Sequence, residues 1–104
     1  MISDKQFDDA FTAAGGWFVA MYFETVADWK GSKDDLIDLI FKDGTDSKRS
    51  GTSTRVSSLI RIIDNQRGME ALKKISESSR IAKQNPLAVE TAKRIIKERY
   101  KYLK

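Results

Sequence analysis

Apolar residues recur at three- and four-residue spacings in nearly every segment of this chain, and a single proline interrupts them. That period is the α-helical one, and alternating β-branched runs are few. The expected fold class is all-α: a compact bundle of five to six helices with one central, mostly buried aromatic helix. At 104 residues, one helical domain spanning 1–104 with one modest core is expected.

The punctuation between these runs places the elements. "SDKQ" at 3–6 is a capping-box pattern, so a first helix runs to about Ala14 with Phe7, Phe11 and Ala14 on one face, and Gly15-Gly16 stops it. Trp17 to Lys30 is apolar nearly all round, the pattern of a buried helix. Gly31-Ser32 ends it and caps a third helix over about 33–42, which buries Leu36, Ile37, Ile40 and Phe41. Eight of the ten aromatics lie between Phe7 and Phe41, so most of the core is expected from this half. Residues 43–54, "DGTDSKRSGTST", contain no apolar side chain and read as a flexible loop. A fourth helix starts near Ser53 and aligns Val56, Leu59, Ile60 and Ile63. A fifth runs from Met69 to about Ala82 and weakens through "SESS". Asn85 suits an N-cap and Pro86 a first helical position, opening a last helix that extends almost to Lys104. Its apolar side carries Ala88, Val89, Ala92, Ile95, Ile96, Tyr100, Tyr102 and Leu103.

Charge divides the chain unevenly. Residues 1–47 hold four Lys against ten acids, a net of −6, while residues 48–104 hold fifteen Lys and Arg against five acids, a net of +10. Such asymmetry suits a protein that meets a polyanion or an acidic partner with one side. Cysteine and histidine are both absent, which removes disulfides, zinc-thiolate sites, Ser-His and Cys-His catalysis and imidazole acid–base work. No cofactor is expected, and the chain reads as a non-enzyme. The longest apolar run, "WFVAMYF" at 17–23, falls far short of the roughly 20 apolar residues of a membrane span. The acidic start "MISDKQFDDAF" lacks the plan of a signal peptide, so a cytoplasmic location and no membrane partner are expected.

Two basic regions are candidate anion sites. In "SKRSGTSTR", Lys48, Arg49 and Arg55 supply charge, Ser50, Thr52, Ser53 and Thr54 supply short hydroxyl donors, and Gly51 allows close backbone approach at a helix entrance. It is not a Walker loop, since no G-x-x-x-x-G-K-[ST] is present. The alternative is a solvated loop ending in a hydroxyl N-cap. On the last helix, Lys93, Arg94, Lys97, Lys101 and Lys104 face away from the apolar side and could track a nucleic-acid backbone, with Tyr100 and Tyr102 available to stack on unpaired bases. The alternative is an ordinary surface helix with cations at its dipole-favoured end. Arg61, Arg67, Lys73, Lys74, Arg80 and Lys83 lie between the two regions. The helices around "NQRG" could form a helix-turn-helix-like pair, without a recognition-helix pattern.

Two further sets carry rival readings. Glu24 and Asp28, with Asp34, Asp35 and Asp38, could hold Mg²⁺ in a phosphohydrolase. "ETVAD" and "DLID" match neither the spacing nor the residue types of the paired E-x-x-E and E-x-x-D motifs of all-helical nucleotide pyrophosphatases, and pairing of Glu24 and Asp28 with basic residues is the alternative. The cluster Trp17, Phe18, Tyr22, Phe23 and Trp29 is mostly core, and any exposed remainder would mark a protein partner or a homodimer interface. Arg99 falls amid the apolar side of the last helix, where it snorkels, pairs with a core-edge acid, or marks a helix outrunning the core. The leading expectation is a nucleic-acid-binding protein, or a binder of another polyanion, with positions Lys48 to Arg55, Arg61, Lys93, Arg94, Lys97 and Lys101 on phosphates. The rivals are an interaction module or inhibitor docking through its acidic, aromatic half, and the Mg²⁺ enzyme.

Overall fold

Ser3 starts the first helix as its sequence implies: its hydroxyl accepts the Gln6 amide at 3.1 Å, and the Gln6 side chain accepts the Ser3 amide at 2.8 Å. The computed structural model describes residues 1–100, among which there are seven helices and no strand. They are α1 (Asp4–Ala14), α2 (Gly16–Ala27), α3 (Lys33–Lys42), α4 (Arg49–Asp64), α5 (Gly68–Ser76), α6 (Ser79–Gln84) and α7 (Pro86–Arg99). Tyr102 and Leu103, with Lys101 and Lys104, lie outside the described residues.

Gly15 separates α1 from α2 at φ +88°, a conformation that a side chain disfavours. Gly16 begins α2 at once. That helix stops at Ala27, three residues short of the expected Lys30, and the Trp29 indole N–H secures the following turn on the Ser32 carbonyl at 2.8 Å. Five of its twelve residues are buried, Phe18, Val19, Ala20, Phe23 and Val26, while Trp17 is exposed. Ser32 caps α3 through the Asp35 amide at 3.1 Å.

The loop is half the expected length, because α4 begins at Arg49 instead of near Ser53. Its polar first turns find partners within reach: Thr52 is fully buried against Asp46, and Thr54 donates back to the Ser50 carbonyl. Hydroxyl composition that reads as loop is here the first third of a helix. The expected fifth helix divides in two, since Glu77 ends α5 and the Ser78 hydroxyl caps α6 on the Ile81 amide at 3.2 Å. This break brings the count to seven.

One contiguous apolar core joins these elements. Phe18, Phe23, Leu36, Ile40, Leu59, Ile62, Leu72, Ile75 and Ile95 are its largest fully buried side chains. The acidic half supplies twelve of its 23 residues, all four phenylalanines among them, and the other eleven lie beyond Lys48. Fully buried Ala14, Ala71, Ala88 and Ala92 let helices approach closely. α1 packs chiefly on α4, α5 on α7, and α2 touches α1, α4, α5 and α7. Thus α4 and α5 are adjacent in sequence, yet each packs chiefly on another element.

The α4–α5 connection is a Schellman turn, in which the Gln66 amide donates to Ile63 and the Arg67 amide to Ile62. Gln66 sits at φ +61° where glycine is usual. Gly68, two residues on, has no room for a side chain: a Cβ there would lie 2.8 Å from the buried Phe23 ring and 3.1 Å from the Tyr100 hydroxyl. Opposite effects are therefore expected at these neighbouring positions in urea denaturation. Gln66→Gly raises stability by about 0.5–1 kcal/mol by relieving the left-handed strain, and Gly68→Ala lowers it by about 1–3 kcal/mol through overpacking.

Candidate phosphate-contacting surface

The basic helix entrance predicted from the sequence is built around an acid. Asp46, whose side chain is 15% exposed, accepts from the Thr52 hydroxyl at 3.0 Å and from the Arg55 Nε at 3.0 Å. Gly51 packs against the same carboxylate, since a Cβ there would lie 3.3 Å from it. The second hand of Arg55 is also taken, because its Nη1 donates to the Ala14 carbonyl at 2.6 Å. The anion that Gly51, Thr52 and Arg55 hold in this structure is a carboxylate of the chain itself.

Arg49 is likewise committed. Its Nε donates to Asp38 at 2.6 Å and its Nη2 to the Asp34 carbonyl at 3.3 Å, fastening the start of α4 to α3. The hydrogen bond to Asp38 raises the guanidinium pKa further. Lys48 sits at the N-cap position without a side-chain cap, fully outward, and Ser50 is exposed beside it. Ser53 is half-buried. The helix entrance thus offers one uncommitted charge, at Lys48.

Farther along, Arg61 is exposed at a shallow surface hollow with Asp9, Ala10 and Ala13 of α1 and has no carboxylate partner among the described residues. On α7, Lys93 and Lys97 are exposed and unpaired, while Arg94 holds Glu24 and Glu98, each at 2.8 Å. The hydrogen bond to Glu24 is the chief cause that raises the Arg94 pKa. Glu90 and Glu98 share the outer surface with these cations, so the stripe is mixed in sign. Lys101 lies outside the described residues. The structure therefore does not gather the expected cations into one cluster. Lys48 stands at the entrance of α4, Arg61 on α4, and Lys93 and Lys97 on α7.

The carboxylate set does not converge either. Glu24 binds Arg94, Asp28 binds Arg99 at 3.1 Å, and Asp34 and Asp38 both face Arg49. Among the described residues no group of three or more acidic side chains is placed to hold a metal ion. Arg99 thus pairs with an exposed acid, Asp28, at the end of α2. Of the aromatic cluster, Phe18 and Phe23 are buried, and Tyr22 and Trp29 are half-buried. Tyr22 stacks on Phe18, donates to Asp43 at 3.1 Å, and has its pKa raised chiefly by burial.

Residues that the sequence assigned separately to the aromatic cluster, the basic regions and a helix cap come together elsewhere. Trp17, Arg55, Arg80, Gln84 and Asn85 line an open cleft between the α1–α2 junction and α6. Asn85 occupies the N-cap position of α7, as the sequence implies, yet its side chain makes no capping hydrogen bond. A tryptophan directly after a glycine pair was the one available signal. The chain matches no protein-family model, no curated protein and no solved structure.

Every buried side-chain polar atom among the described residues has a partner, so removing Asp46 orphans the Thr52 hydroxyl. Asp46→Ala is expected to cost about 2 kcal/mol in chemical denaturation. Lys48→Ala, which removes an exposed and unpaired side chain, should stay within about 0.5 kcal/mol.

Proposed function

We propose that this protein is a non-enzymatic, cytoplasmic binder of nucleic acid that contacts phosphates through the cations left outside its internal ion pairs. What supports the reading is a division of labour within residues 48–100. Arg49, Arg55, Arg67, Lys74, Arg94 and Arg99 are engaged by acids of the first 47 residues. Lys48, Arg61, Lys73, Arg80, Lys83, Lys93 and Lys97 have no acid partner among the described residues, and all seven are exposed. Only Asp64, Glu77 and Glu90 stand unpaired against them in that stretch. These cations are spread over the entrance of α4 and over α4, α5, α6 and α7, and on this reading they contact a phosphate backbone with little provision for reading bases. Among the described residues no helix is long and apolar enough to cross a membrane.

A second reading, a protein-interaction module, draws support from Trp17 and Leu39, which are 40% and 44% exposed in the aromatic half. Light scattering separates it: a concentration-dependent dimer lost in Leu39→Lys favours this reading, and a strict monomer counts against a homodimer.

Titration of labelled oligonucleotides tests the leading reading. With about three or four phosphate contacts, affinity should fall about 40- to 150-fold between 50 and 200 mM salt, and the Lys93→Ala/Lys97→Ala double variant should flatten the logarithmic salt slope by about two. Absence of salt-sensitive binding at the lower concentration overturns it.

A further inference from the structure

The cleft between the α1–α2 junction and α6 has a volume of about 300 Å³, at the small end of the range for ligand sites, about 300–1,000 Å³. Its chemistry is uneven in an informative way. Trp17 brings an indole ring that is 40% exposed and meets Tyr22 at 75°, so a large part of its surface is outside the core. Arg80 brings a guanidinium that no carboxylate of the described residues neutralises. Arg55 of α4 lines it too, held through Nε and Nη1 by Asp46 and the Ala14 carbonyl. Gln84 and Asn85 add two carboxamides that serve no cap. No acidic side chain lines the cleft.

Its floor is backbone. A Cβ on Gly16 would lie 2.6 Å from Ile81 Cδ1, and one on Gly15 2.9 Å from Arg55 Nη1. The glycine pair therefore lets Ile81 of α6 and the Arg55 guanidinium approach the backbone at the start of α2. The first turn of α2, which no side chain caps, opens on the same space.

An aromatic face, uncompensated guanidinium charge and carboxamides are the three recognition elements of a nucleotide: base stacking, phosphate contact and hydrogen bonding to a base edge. The geometry points to this cleft as the seat of one nucleoside-monophosphate unit, with the base on Trp17, the phosphate on Arg80, and the carboxamides of Gln84 and Asn85 at the base edge. This rests on the phosphate-contact reading above and adds what that reading lacks. A base that stacks on Trp17 must be unpaired, so the cleft selects single strands over duplex.

Two measurements on the intact chain test it. The protein contains two tryptophans, so a Trp29→Phe background isolates Trp17, whose fluorescence should be quenched by a short oligothymidylate and not by duplex. Quenching by thymidine monophosphate alone at comparable concentration identifies a free nucleotide as the source of the unit, and quenching by the oligomer alone identifies a strand. In competition binding, Trp17→Ala should weaken single-strand affinity about ten-fold and leave duplex affinity within about two-fold, while Trp17→Phe keeps most of it. Far-UV circular dichroism and the urea midpoint check that each variant is folded. Salt-sensitive strand binding with no quenching and no effect of Trp17→Ala overturns the cleft and leaves the phosphate reading standing. Quenching by the monophosphate with no salt-sensitive strand binding does the reverse.

Discussion

The first helix is clasped at both ends by arginines that come from far along the chain. At its C-terminus the Arg55 guanidinium reaches the Ala14 carbonyl at 2.6 Å, supplying the positive charge that the last turn of α1 lacks. At its N-terminus Arg67 reaches the Ser3 carbonyl at 3.2 Å and Asp4 at 2.9 Å, and lies 4.2 Å over the Phe7 ring. These contacts span 41 and 64 residues. They fasten both ends of α1, the helix that packs chiefly on α4 and brings Phe7 and Phe11 into the core. Arg55 at the same time draws in Asp46 and so shapes the turn into α4. Without it the end of α1 and the turn that carries Asp46 would both lose their partner.

The division of charge along the sequence is largely a device for folding. Seven of the ten acids in residues 1–47 face a cation from the second half: Asp4, Asp8, Glu24, Asp28, Asp34, Asp38 and Asp46. Most of those cations are arginine, and Lys74 is the exception. Of the seven cations left outward, five are lysine. Arginine's planar fork can bind a carboxylate and a carbonyl together, as Arg49, Arg55 and Arg67 do, whereas lysine's solvated ammonium loses more by being fixed. The type of basic residue thus separates the scaffold from the surface more sharply than position in the chain.

Much of the fold was legible from periodicity and punctuation. The capping box at Ser3, the glycine stop, α3 and the proline start of α7 all stand where spacing and cap chemistry put them. The start of α4 was not legible, because a hydroxyl-rich turn becomes helical only once Asp46 and Ser50 accept from it. The candidate site was legible as charge and not as geometry. Arg49, Thr52 and Arg55 have the chemistry of phosphate ligands, but which anion they hold depends on carboxylates and carbonyls 6 to 41 residues away. The same holds for the cleft, which Trp17 and Arg80 line from different helices with no spacing that a helical wheel could detect.

The shortness of α6 has a consequence for motion. This helix is six residues long and contributes Ile81 alone to the core, resting on the bare backbone of Gly16. Its neighbours α5 and α7 each bury four residues. A segment held by so few apolar contacts is where local opening costs least, and this segment carries Arg80 and Gln84.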